Sequence, residues 1–268
     1  MAKNIKTIRT IVRQMLRDEL QESVDAEFAD DEIDLHINEV LVEISEKRPY
    51  EVRETLTASN KSGAATATTA NHLIDTTNAQ FVAGDVGKTV YNNTDKTTAK
   101  VTAYNSTSDL TLDTDIMASG ESYYIYHYGG TSGKDLNIGS ITDLIEVEKA
   151  EYLTRQDPPD FRNVKVFGDI VTLDIDSTPT DGDEVFLYCH KVHQLTEGIS
   201  TLNPDLEKVL IEGAVAKAAM AWLNKMRAQI VPNSIRLYQS WATTQLMLYQ
   251  NSLNSITRPK VWEFYPRG

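Results

Sequence analysis

The spacing of apolar residues changes twice along this chain of 268 residues, and that switch constrains its fold more than any single motif. Ile5, Ile8, Val12, Met15 and Leu16 recur on one helix face, which predicts a first helix over about Lys3 to Gln21. Ile33, Ile37, Val40, Leu41 and Ile44 repeat the pattern. They predict a second helix, capped by Asp30 or Asp31 and stopped at Arg48-Pro49, because proline disfavours helical geometry in the residue before it. From Thr57 to about Tyr128 the period drops to two. Thr89-Val90-Tyr91, Leu110-Thr111-Leu112 and Tyr123-Tyr124-Ile125-Tyr126 alternate between Gly-Asp, Asn-Asn and Ser-Gly turns, the pattern of a small all-β module. Four further strands are predicted at Ile141–Leu153, Val164–Phe167, Ile170–Ile175 and Glu184–Val192, with Asp181-Gly182 as a hairpin turn joining the last two. Helical spacing then returns. Asn203-Pro204 opens a third helix reaching Arg227, Val231-Pro232-Asn233 breaks it, and a fourth runs to about Ser255.

Charge narrows the function. The chain carries 26 Lys and Arg against 39 Asp and Glu, a net of −13, which argues against a protein whose main task is gripping nucleic acid. The distribution is uneven: residues 1–17 hold five basic side chains and no acidic one, 18–54 carry a net of −11, and 225–268 are basic again. An acidic body with basic ends suggests segments that dock on acidic surfaces, among them copies of the same chain. On the first helix Lys6, Arg9, Arg13 and Arg17 form a basic stripe, a candidate contact for DNA or an acidic neighbour. The single Cys189 leaves no intramolecular disulfide and fits a reducing cytoplasm. The opening residues scatter Lys and Arg where a signal peptide needs an unbroken apolar stretch. Leu237 to Thr257 is 21 residues without charge, but eleven are Gln, Ser, Thr or Asn, which a bilayer would leave unpaired; no membrane association is expected.

Motifs that hint at chemistry fail on spacing. Ala83-Gly-Asp-Val-Gly-Lys-Thr89 resembles the end of a phosphate loop, yet it lacks the first glycine and leads into a strand instead of a helix. Cys189, His190 and His193 have the side chains of metal ligands, but strand alternation sends Cys189 and His193 to one side and His190 to the other. Asp174, Asp176, Asp181, Asp183 and Glu184 miss the calcium-loop spacing. No catalytic residue, cofactor or metal is predicted. Gly213, Ala214, Ala218 and Ala219 mark the third helix for close packing, and with Trp241 they are candidate subunit contacts. Trp262, Phe264 and Tyr265, beside Arg258, Lys260 and Arg267, are anchor types in the last stretch, 257–268, which reads as an extended docking tail.

Taken in order, the basic first helix, Phe28-Ala-Asp-Asp-Glu-Ile-Asp-Leu-His-Ile-Asn-Glu-Val40, Glu46-Lys-Arg-Pro-Tyr50, the strand Val185–Leu195 and the helix opening at Thr201-Leu-Asn-Pro-Asp-Leu-Glu resemble the head–tail connector (adaptor) proteins of tailed bacteriophages. The resemblance covers about 1–57 and 141–256. It implies an α+β fold: a helical connector core of about four helices with a small antiparallel sheet over 1–57 and 129–256, interrupted by an inserted all-β module at 58–128. It implies a homo-oligomeric ring, commonly of twelve subunits, made in the host cytoplasm and placed in the virion neck. That ring would sit beneath the portal protein, meet a tail or stopper protein, and let double-stranded DNA pass without sequence reading. The competing class is a virion decoration or host-binding protein that uses the Thr-rich module for recognition; a hydrolase would need a convergent polar site that the sequence lacks.

Overall fold

The computed structural model describes residues 3–16, 28–127, 132–226 and 232–256. Within them the chain forms two compact units, Met1–Tyr50 with Lys191–Gly268, and Glu51–His190.

The first unit is helical: α1 (Ile5–Leu16), α2 (Asp30–Lys47), α3 (Pro204–Met226) and α4 (Pro232–Ser255). Asparagine caps two of them, Asn4 accepting the Thr7 N–H at 2.9 Å and Asn203 the Leu206 N–H at 3.0 Å. α3 is buried on nearly every side, through Leu206, Leu210, Ala214, Val215, Ala216, Ala218 and Ala219, so it is the helix on which the others pack. Ile8 and Val12 of α1, Ile37, Val40 and Ile44 of α2, and Ala242 and Tyr249 of α4 complete this core. Gly213 sets the approach: a Cβ there would stand 2.6 Å from the Tyr249 ring and 2.7 Å from a Val40 methyl. The expected Asp cap of α2 is not formed. Ala29 occupies the cap position, with its N–H donating to Glu32 at 3.3 Å, because Asp30 is held instead by Arg9 and Arg13.

The second unit is built of strands. One sheet runs in the order β2 (Lys61–Ala64), β7 (Ser122–Tyr126), β4 (Thr89–Asn92), β5 (Thr97–Ser106), β6 (Asp109–Leu112), β3 (His72–Ile74). It curls until the Thr66 N–H, just past β2, reaches the Ile74 carbonyl at 2.7 Å, and it wraps Leu73, Phe81, Val90, Val101, Leu110, Tyr123 and Ile125. A second sheet orders β1 (Tyr50–Thr57), β13 (Glu184–Lys191), β9 (Leu144–Tyr152) and β10 (Phe161–Arg162). A third joins β11 (Val164–Phe167), β12 (Ile170–Leu173) and β8 (Asp135–Asn137). These two share a core of Leu136, Val147, Ala150, Val171, Leu173, Val185 and Leu187.

The fold class expected from the sequence is therefore corrected. The described residues hold four helices against thirteen strands in three antiparallel sheets, so the chain is not a helical core with a small sheet. The described part of 129–190, assigned above to that core, contributes only strands and belongs to the same compact unit as 58–127. Glu51–Thr57, placed with the connector core over 1–57, forms most of β1, with Val52, Glu54 and Leu56 turned inward. The hairpin expected at Asp181-Gly182 is a turn, with Gly182 at φ +92°, but its flanking strands β12 and β13 enter different sheets. The hairpin lies one strand earlier, where β11 and β12 meet across Gly168-Asp169 and Gly168 takes φ +56°.

Asp85 explains the segment that resembles a phosphate loop. Its carboxylate is fully buried and accepts from Lys61 Nζ and Lys88 Nζ, both at 2.7 Å, and from the Val82 N–H at 2.9 Å. Burial alone would raise its pKa, but these donors more than offset it and hold the carboxyl below its ordinary range. Lys88 also donates to the Ser59 hydroxyl, so the lysine is engaged within the protein.

Four substitutions test this packing and pairing. Gly213→Leu should destabilise the helical unit by about 1–3 kcal/mol through overpacking, whereas Gly198→Ala, in open space, should stay within about 0.5 kcal/mol of the parent in denaturant melts. Asp85→Ala removes the ion-pair partner of the buried Lys61 and of the partly buried Lys88 and should cost about 3–5 kcal/mol. Removing Glu184, whose partner Arg155 is largely exposed, should leave the urea midpoint of the β unit unchanged.

Candidate functional site

The structure gives the basic stripe of α1 an intramolecular partner. Arg9 donates to Asp34 at 2.6 and 2.9 Å and to Asp30 at 2.8 Å, and the buried Arg13 reaches Asp30 at 2.5 Å. The hydrogen bond from Arg13 holds the Asp30 carboxyl below its usual range despite burial, and the bond to Asp34 raises Arg9. Lys6 meets Glu197 at 3.0 Å on the surface. Arg17 lies outside the described residues. Arg9 and Arg13 of this stripe thus meet α2 of the same chain.

The small residues of α3 likewise pack within the chain. Ala214, Ala218 and Ala219 are fully buried among α1, α2 and α4, and Gly213 lies between Val40 and Tyr249. Trp241 is half-buried beside Tyr238, with ring centroids 5.3 Å apart. The tail residues Arg258, Lys260, Trp262, Phe264, Tyr265 and Arg267 lie outside the described residues.

Cys189, His190 and His193 go three ways. Cys189 is in the sheet core. His190 is buried on the opposite face, with Glu146 at 3.4 Å and Glu148 at 3.6 Å. His193, past the end of β13, serves the helical unit: its Nε2 lies 3.0 Å from the Arg48 carbonyl, its Nδ1 2.9 Å from Thr201 Oγ1, and its N–H donates to Ser45 Oγ at 2.9 Å. A carbonyl only accepts, so Nε2 carries a proton. Burial lowers its pKa, and Arg48 lowers it further against the opposing hydrogen bonds. Among the described residues no group of three or more His, Cys, Asp or Glu is placed to hold a metal. Asp183 of the acidic turn is occupied by the Thr180 N–H at 2.8 Å and the Tyr152 hydroxyl at 3.1 Å.

What the structure presents outward is apolar surface that sequence reasoning missed. Phe167, at the tip of the β11–β12 hairpin, is 90% exposed. Its signal was an apolar pair, Val166-Phe167, set directly against a Gly-Asp turn, where nothing can cover it. On α4, Leu237 is 78% exposed and Met247 and Leu248 about half, on a helix with no charge after Arg236. Between α2 and α3 a cleft of about 230 Å³ is walled by Phe28, Leu35, Ala221 and Trp222, with Glu32, His36 and Lys225 around it. On the β unit, Tyr91, Tyr124 and Tyr126 form a row, centroids 5.9 and 6.3 Å apart, on the face away from the core. No family model matches the chain, and no curated protein matches it.

The buried imidazole makes stability depend on pH. The unfolded ring takes a proton near about pH 6.5 and the native ring only at lower pH, so stability is full above that value and falls as pH drops through it. His127, also lowered by burial, acts in the same direction in the β unit. Thermal melts from pH 8 to pH 5 should show this decline, and His193→Gln should start from a lower midpoint at pH 8 but fall less steeply. Equal slopes in parent and variant would show that His193 is not the titrating group.

Proposed function

We propose that this protein is a structural head–tail connector of a tailed bacteriophage. In this reading it forms a ring, of about twelve copies by the resemblance described above, in the virion neck beneath the portal protein. It joins capsid to tail or stopper protein and lets double-stranded DNA pass. Its C-terminal segment reaches the portal or a neighbouring copy. The proposal carries no claim to a helical connector core, which the strand content excludes. The observation that carries it is the outward apolar surface: Phe167 on a rigid hairpin tip and an uncharged, apolar-studded α4, exposed on a chain of net charge −13. Such groups cost free energy in water and are stabilised by assembly. Distinct contact patches on one chain suit head-to-tail association, which closes into rings. An acidic body suits a channel that DNA must traverse without sticking. The row Tyr91, Tyr124 and Tyr126 favours a second reading, a virion decoration or host-binding protein that recognises its target through the β unit.

Native mass spectrometry of the purified protein, alone and with a portal-bearing particle, tests the connector reading. A closed ring, free or on the particle, is expected. Phe167→Ser should leave the unfolding free energy within about 0.5 kcal/mol of the parent, since the residue is 90% exposed, yet weaken assembly tenfold or more. A monomer or trimer at every concentration and on every particle would overturn the connector.

A further inference from the structure

β1 stands at one end of its sheet, and among the described residues only β13 is hydrogen-bonded to it. Just past its end, the Ala58 N–H donates to the Asp183 carbonyl at 2.8 Å and the Ala58 carbonyl accepts from the Gly182 N–H at 2.9 Å. Successive residues of an antiparallel strand turn their backbone groups to opposite sides. Exposure alternates along β1 without a break, so its even-numbered residues face β13, and Glu51, Arg53, Thr55 and Thr57 turn N–H and C=O away. Among the described residues those four make no backbone hydrogen bond. Natural edge strands are commonly very short, bulged or covered. This one runs for eight residues, with Glu51, Arg53, Thr55 and Thr57 exposed. What fits it is another extended strand.

We propose that this edge pairs with β1 of a second copy, antiparallel about a two-fold axis, with Glu51 of each copy opposite Arg53 of the other. Charge selects both the partner and the register. Among the described residues Glu51 has no ion-pair partner, and the Arg53 guanidinium lies over the Phe186 ring, 4.2 Å from its centroid. An axis through Val52 brings opposite charges together twice. It also lets Glu51 and the facing Arg53 exchange both backbone hydrogen bonds, again twice. An axis at Arg53 would set arginine against arginine, and one at Glu54 would set two inward-turned glutamates face to face; like charges directly opposite destabilise a strand pair. An axis at Thr55 would leave neither charge answered. The contact is isologous, so it joins copies in pairs and does not rest on the head-to-tail ring proposed above. Rings that lack this contact would sink it alone, and pairs without rings would sink the other.

Residues facing each other in such a hydrogen-bonded pair have Cα atoms about 5.5 Å apart, within reach of a disulfide. The full chain carrying Glu51→Cys and a mass tag, mixed with the full chain carrying Arg53→Cys, should give mainly the mixed disulfide under a mild oxidant. The reciprocal Glu51–Arg53 contact stays intact in that pair. Glu51→Cys mixed with Thr57→Cys should not cross-link. Independently, sedimentation velocity should show self-association weakened about tenfold in Glu51→Lys and in Arg53→Glu, and largely restored in Glu51→Lys with Arg53→Glu, where the charges match again. Circular dichroism confirms that each variant is folded. A mixed disulfide no commoner than the two symmetric ones, a preferred cross-link to position 57, or a double variant as weak as the single ones overturns the proposal. So does a parent chain that stays monomeric at every concentration.

Discussion

The pairing of β1 with β13 is the constraint from which the rest of the chain follows. These strands are neighbours in one sheet although their residues lie more than a hundred positions apart. Because they run side by side, the chain leaves the helical unit at Tyr50 and re-enters it at Lys191 through adjacent strands. A large β unit can then interrupt a helical one without disturbing its helices. The cost is loop-closure entropy, which grows only slowly with loop length and is met by the shared core of Val185, Leu187, Val147 and Val171.

His193 completes the return two residues beyond β13. Its backbone N–H and both ring nitrogens are engaged by Ser45, Arg48 and Thr201, so His193 is fixed to the C-terminal turn of α2. The opposite end of α2 is fixed by Arg9 and Arg13 on Asp30 and Asp34. With Gly213 allowing Val40 and Tyr249 to close on α3, every helix of the unit has a specific reason for its place. Residues with the look of function, a basic stripe, small residues and a histidine near a cysteine, are thus engaged in holding the unit together. The groups left outward, Phe167 and the exposed residues of α4, are apolar.

The helices were legible because their apolar residues keep one period over three or more turns and their ends carry Asn, Pro or Arg-Pro signals. Individual strands were legible where Val, Tyr and Thr alternate, as in β4, β7 and β13. β1 was not, because its inward positions include Glu54 and its outward ones Glu51 and Arg53, so the alternation is written in charge as much as in apolar residues. Strands of two or three residues, such as β3, β8 and β10, are too short for any period to show. Among candidate site residues, type was readable and partner was not. Arg9 presents the same sequence signal whether its carboxylate comes from α2 or from another molecule.

The sequence by itself determined the helices, most of the strands and the turn glycines, since propensity and period are local properties of the chain. It also determined the acidic balance, which rests on composition. Only the tertiary structure decided that residues 51–190 make one strand-built unit, because strand pairing is set by contacts remote in sequence and by which core each apolar face shares. It alone decided that Lys61 and Lys88 both close on the buried Asp85. It also turned the small residues of α3 inward and left Phe167 facing water, since burial is a property of what surrounds a side chain and no residue carries it alone.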